Sequence, residues 1–117
     1  MSQTQNKEKN KSAFDEEVYK KLATSDLILF CIYQVNNSQE NCTMERLVKE
    51  CFILFPKTFS FNGFPQWPDS RKLDRPLRTL RNKKLIKGDP KNKFFLTEIG
   101  KKTIKDTAKF LTQKKLW

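Results

Sequence analysis

The chain has 117 residues, with 24 Lys and Arg against 13 Asp and Glu and a formal charge of +11. That length suits one modest hydrophobic core and excludes two, and so large a basic excess points to an anionic polymer or surface as partner. There is no histidine to act as general base or to complete a zinc site with Cys31, Cys42 and Cys51, and Gly63, Gly88 and Gly100 are too scattered for a phosphate-cradling loop.

No run reaches the roughly 18 to 20 apolar residues of a membrane span, and the N-terminus lacks the apolar centre of a signal peptide, so an intracellular protein is expected. Residues 1–12 contain no large apolar side chain after Met1 and are expected to form a disordered tail ahead of one domain over 13–117. Ser12 and Asp15 resemble a capping box, and Phe14, Val18 and Leu22 recur at helical spacing, predicting a short amphipathic helix. Thr24, Ser25 and Asp26 offer caps to a helix apolar nearly all round, with Leu27, Ile28, Leu29, Phe30, Cys31, Ile32, Tyr33 and Val35. After a polar turn over 36–41, Thr43 caps a helix whose Met44, Leu47, Val48, Cys51, Phe52 and Phe55 form a one-sided stripe. The three cysteines read as free thiols in this core.

From 56 to 69 the helical pattern stops, with Pro56, Pro65 and Pro68 as breakers and Asn62-Gly63 as a tight turn. Phe59, Phe61, Phe64 and Trp67 either stack on unpaired bases or pin a long loop to the core, and the second reading is preferred. A helix over 71–84, capped by Asp69 or Ser70, follows. At 100° per residue it turns Leu73, Leu77 and Leu80 inward and Arg71, Arg75, Arg78 and Asn82 outward. Pro76 is expected either to kink this helix or to mark a restart capped by Asp74.

Leu85, Ile86 and Lys87 predict a short strand, residues 88–93 a turn with a basic tip, and Phe94, Phe95 and Leu96 the returning strand. Thr97 caps a last helix with Ile104, Ala108 and Leu111 on one side, Lys101, Lys102, Lys105 and Lys109 mostly elsewhere, and Phe110, Leu116 and Trp117 adding apolar surface. From position 71 onward there are sixteen basic and four acidic residues, so the binding surface is expected in this half.

The run Leu77-Arg78-Thr79-Leu80-Arg81-Asn82-Lys83-Lys84-Leu85-Ile86-Lys87-Gly88, followed by Phe95-Leu96-Thr97-Glu98-Ile99-Gly100-Lys101, resembles the recognition helix, wing and closing helix of winged helix-turn-helix DNA-binding domains. The resemblance spans about residues 24–112 and implies a mainly α fold with a small β-hairpin wing. It also implies double-stranded DNA as partner, with the helix over 71–84 in the major groove and the wing tip on flanking phosphate or minor groove. The DNA-contacting set is then Arg71, Lys72, Arg75, Arg78, Asn82, Lys87, Lys91, Asn92 and Lys93. Residues 55–70 depart from the family, since they far exceed the three or four residues of an ordinary helix-turn-helix connection.

On this reading the protein is no enzyme and needs no cofactor, metal or small-molecule ligand. It occupies DNA as a small regulator, or holds it as an accessory subunit for a DNA-modifying enzyme, in a nucleus or a nucleoid. The alternative is a winged-helix protein-interaction module whose lysines serve solubility or an acidic protein partner.

Overall fold

The structure, a computed structural model, describes residues 13–115, with side chains through 112. The expected disordered tail and the apolar contribution of Leu116 and Trp117 lie outside the described residues. Asp15 caps the first helical turn, α1 (Glu16–Tyr19), its Oδ1 accepting the Glu17 N–H at 3.0 Å, and the predicted capping partner Ser12 lies outside the described residues. The turn is held in place by its aromatic residues. Phe14 stacks on Phe55, and the buried Tyr19 packs edge-on against the same ring while its hydroxyl accepts the Lys57 N–H.

The central element is α2 (Thr24–Asn37), in which every residue from Leu27 to Ile32, and Val35, is buried. Apolar residues on all sides require neighbours on all sides. Accordingly α2 packs against three other helices and one strand described below. Its N-cap is Ala23 with no side-chain hydrogen bond, so Thr24, Ser25 and Asp26 form the first turn and do not cap it. The helix ends with Gln39 at φ 61° and with hydrogen bonds from Gln39 N to Asn36 O and from Glu40 N to Val35 O. This Schellman pattern satisfies two terminal carbonyls even without glycine.

Thr43 caps α3 (Met44–Leu54) as its sequence predicts, Oγ1 accepting from Arg46 N at 3.2 Å. Leu47, Cys51 and Leu54 face the core, and so does Glu50, fully buried with Arg46 Nη1 at 2.8 Å. The expected loop over 56–69 is in fact structured. It comprises a helical turn, α4 (Pro56–Phe59), and an antiparallel pair, β1 (Ser60–Phe61) and β2 (Phe64–Pro68). Pro65 and Pro68 conceal this hairpin because they interrupt the alternation by which strands are recognised.

A 3-10 turn (Ser70–Leu73), capped by Asp69, leads into α5 (Asp74–Asn82). The expected continuous helix over 71–84 is therefore two pieces. Pro76 lies in the first turn of α5, where an amide hydrogen has no partner to lose, so a restart accommodates it. Asp74 is the first helical residue and not its cap: the N-cap is Leu73, with no side-chain hydrogen bond. Leu73, Leu77 and Leu80 are buried as predicted. Lys84, at φ 61°, closes α5 with a second Schellman pattern, Leu85 N donating to Leu80 O and Lys84 N to Arg81 O.

The second hairpin pairs β3 (Ile86–Gly88) with β4 (Phe94–Leu96) in the register Ile86 to Leu96, Lys87 to Phe95 and Gly88 to Phe94. Its inner edge is tied to the body. Phe94 N donates to Cys42 O at 2.9 Å, and the Asn36 amide both donates to Phe94 O and accepts from Leu96 N. The last helix, α6 (Glu98–Lys115), is capped by Thr97, whose Oγ1 accepts from Gly100 N. Ile104 and Leu111 are buried against α2 and the remaining core.

The result is a mainly helical fold carrying two small antiparallel hairpins around one core. Cys31, Cys42 and Cys51 are free and buried, as expected, and burial pushes the Cys42 thiol up to about 12. Among the described residues no helix is long and apolar enough to cross a membrane.

Candidate functional site

The outer face of α5 follows from its inner one. With Leu77 and Leu80 fixed in the core, Arg75, Arg78 and Asn82 stand on the opposite side within about 60° of one another by helical pitch. All three are exposed. Neither Arg75 nor Arg78 has an ion-pair or hydrogen-bond partner among the described residues. The only acid on this helix, Asp74, is exposed in its first turn.

Arg71 behaves differently because it belongs to the 3-10 turn, where the α-helical wheel does not apply. Its Nε donates to Asp69 Oδ1 at 3.2 Å, and its guanidinium sits 5.3 Å from the centre of the Phe61 ring. The same bond holds the Asp69 carboxyl below its usual range. Most of the Arg71 side chain nevertheless remains in solvent. Lys72 is turned away from α5 altogether. Its Nζ donates to Ser60 O at 2.6 Å and to Asn62 Oδ1 at 3.3 Å, which clamps the β1–β2 turn.

The β3–β4 hairpin carries Lys87 on its outer face, opposite Phe95, and Lys91, Asn92 and Lys93 at its tip. Asp89 organises that tip, Oδ1 accepting from the backbone N–H groups of Lys91 and Asn92. The Asn92 amide also donates to the Asp89 carboxylate. Asn92 thus shapes the turn, whereas the ammonium groups of Lys91 and Lys93 are exposed and make no hydrogen bond or ion pair among the described residues. A shallow cleft of about 550 Å³ runs between Thr43 and the hairpin, lined also by Lys87, Lys91, Lys93 and Phe95.

Arg81 joins α5 to the hairpin, and sequence reasoning missed it. Its Nη1 lies 3.5 Å from Gly88 O, at the end of β3. The signal was its position three residues after Arg78, one step around the helix towards the strand. Arg75, Arg78, Arg81, Lys87, Lys91 and Lys93 therefore form a set of cations on two adjoining elements. Of the expected residues, Arg71 and Lys72 instead serve the first hairpin. Among the described residues no group of three or more His, Cys, Asp or Glu could hold a metal ion.

No protein-family model, curated protein or solved structure matches this chain.

Proposed function

We propose that the protein binds double-stranded DNA, with α5 entering the major groove and the β3–β4 hairpin acting as a wing on flanking phosphate or minor groove. The observation that carries this reading is the pair Arg75 and Arg78, exposed without an acidic partner on the face of α5 opposite its buried seam. Surface helices ordinarily intersperse both signs to make pairs along the helix. A helix of this width fits a major groove, where arginine reads guanine through two hydrogen bonds and lysines nearby bind phosphate without reading sequence.

The order of elements supports a winged-helix reading: α2, α3, α5, a hairpin, then α6. The contacts of Cys42 and Asn36 with β4 supply the place that a third strand would take beside such a wing. The protein performs no chemistry on the DNA itself in this proposal. It occupies the duplex as a regulator, or presents it to an enzyme partner.

The deciding experiment is fluorescence anisotropy with labelled duplex DNA over a range of salt. Neutralising four to six phosphates should give a log–log salt dependence of about −4 to −5. A slope near zero would reject the electrostatic footprint and leave a protein-interaction role.

A further inference from the structure

The β1–β2 hairpin holds two large aromatic rings in solvent. Phe64 is 51% exposed and Trp67 55%, and every residue of β2 is exposed. Water-facing apolar rings of this size forgo a substantial burial free energy, and here only Phe59 of the loop's four aromatics is buried. The two rings are stacked on each other, with centroids 5.4 Å apart and planes 12° from parallel. About half of each of these residues is left in solvent beside the stack.

The mounting is rigid. Asp69 N donates to Phe59 O at 2.8 Å across the base of the hairpin, Lys72 bridges Ser60 and Asn62 at its turn, and Pro65 and Pro68 restrict the backbone of β2 itself. Residues 56–68 contain no Asp or Glu, and the acid that follows, Asp69, is buried and bonded to Arg71 Nε. Arg71 lies over Phe61, the strand partner of Phe64, with most of its side chain in solvent. Aromatic rings and arginine also serve protein interfaces, so a self-associating patch is the rival that the test below must separate. Exposed stacked rings on a hairpin that also carries the Arg71 guanidinium are complementary to a chain of planar bases joined by phosphates.

We propose that this hairpin is a second binding site, which takes a single nucleic-acid strand by stacking unpaired bases on the Phe64–Trp67 platform while Arg71 holds the adjoining phosphate. The site is separate from the duplex-binding face described above and does not depend on it. If both operate, the protein is suited to junctions where paired and unpaired strands meet.

The test uses the full chain with Trp117→Phe, which leaves Trp67 as its only tryptophan. A deoxythymidine decamer, a uridine decamer and an abasic decamer of the same phosphate content are each titrated against Trp67 fluorescence. Stacking predicts quenching by at least one base-bearing decamer, and the better of the two identifies DNA or RNA as the natural strand. The abasic strand should bind at least about tenfold more weakly, and by anisotropy Phe64→Leu with Trp67→Leu should weaken binding by a similar factor. Both substituted residues are exposed, and unchanged circular dichroism and melting will confirm that the double variant folds. Its duplex affinity should stay within about twofold of the parent, so the two sites can fail separately. Equal binding of the abasic strand, full retention of strand binding by the double variant, or a dimer in sedimentation that the double variant abolishes would each overturn the proposal.

Discussion

Gly100 and Leu85 meet backbone to backbone: a methyl group on Gly100 would stand 2.0 Å from the Leu85 carbonyl oxygen. That carbonyl also accepts the Thr97 N–H at 3.0 Å, so the junction between the β3–β4 hairpin and α6 has no slack on either side. Gly100→Ala should destabilise the protein by about 3 kcal/mol in urea unfolding, the upper range for overpacking. Gly63→Ala is the contrast. Nothing lies within 4 Å there, and only its φ of +84° opposes a side chain. Its cost should be nearer about 1 kcal/mol.

Arg75→Ala and Arg78→Ala should leave the melting temperature almost unchanged while each weakening duplex DNA binding by about 1 to 3 kcal/mol. Leu77→Ala reverses the pattern, with a stability loss of about 2 to 5 kcal/mol. Paired melting and anisotropy measurements distinguish the two. A doubly substituted Arg75 and Arg78 variant that folds and binds duplex as tightly as the parent would remove α5 from the interface.

Gln39 occupies the left-handed region at the end of α2, where a side chain costs more than it returns. Gln39→Gly should stabilise the fold by about 0.5 to 1 kcal/mol, the relieved strain exceeding the added chain entropy. A measured destabilisation would mean that the Gln39 side chain contributes a contact of its own.

Cys42 contributes to the behaviour of the core in alkali together with the fully buried Cys31, whose thiol burial also pushes up. The folded pKa of Cys42, raised from 9.0 to about 12 chiefly by burial, means that the folded state holds this proton more tightly than the unfolded chain does. Its contribution is complete below pH 9 and is lost progressively as pH rises towards 12. Urea midpoints for the parent and Cys42→Ala should therefore converge across that interval. A thiol-specific reagent at pH 8 should label the three cysteines only after denaturant is added.

Where a residue's role is set by burial alone, the sequence discloses it. The all-round apolar α2, the stripe of α3, the Leu73, Leu77 and Leu80 seam and the β3–β4 hairpin all follow from periodicity. The β1–β2 hairpin did not, because Pro65 and Pro68 erase alternation and all of β2 is exposed, leaving no inward face to detect. The same loss affected the candidate site. Arg71 was assigned by helical pitch to a ladder with Arg75, but the 3-10 turn rotates it onto Asp69 and Phe61. Lys72 is spent on a carbonyl 12 positions earlier, a contact that no local pattern encodes.

The side chain of Asn36 has a consequence for life at high concentration. A strand with a vacant row of amides and carbonyls invites a neighbouring molecule to extend the sheet, and small proteins meet that hazard with charges, prolines or covering segments. Beside β4 the cover is one carboxamide, which offers a donor to Phe94 O and an acceptor to Leu96 N, together with the Cys42 carbonyl for Phe94 N. The β3–β4 hairpin thus leaves its lysines exposed while its edge next to α2 is covered against self-assembly.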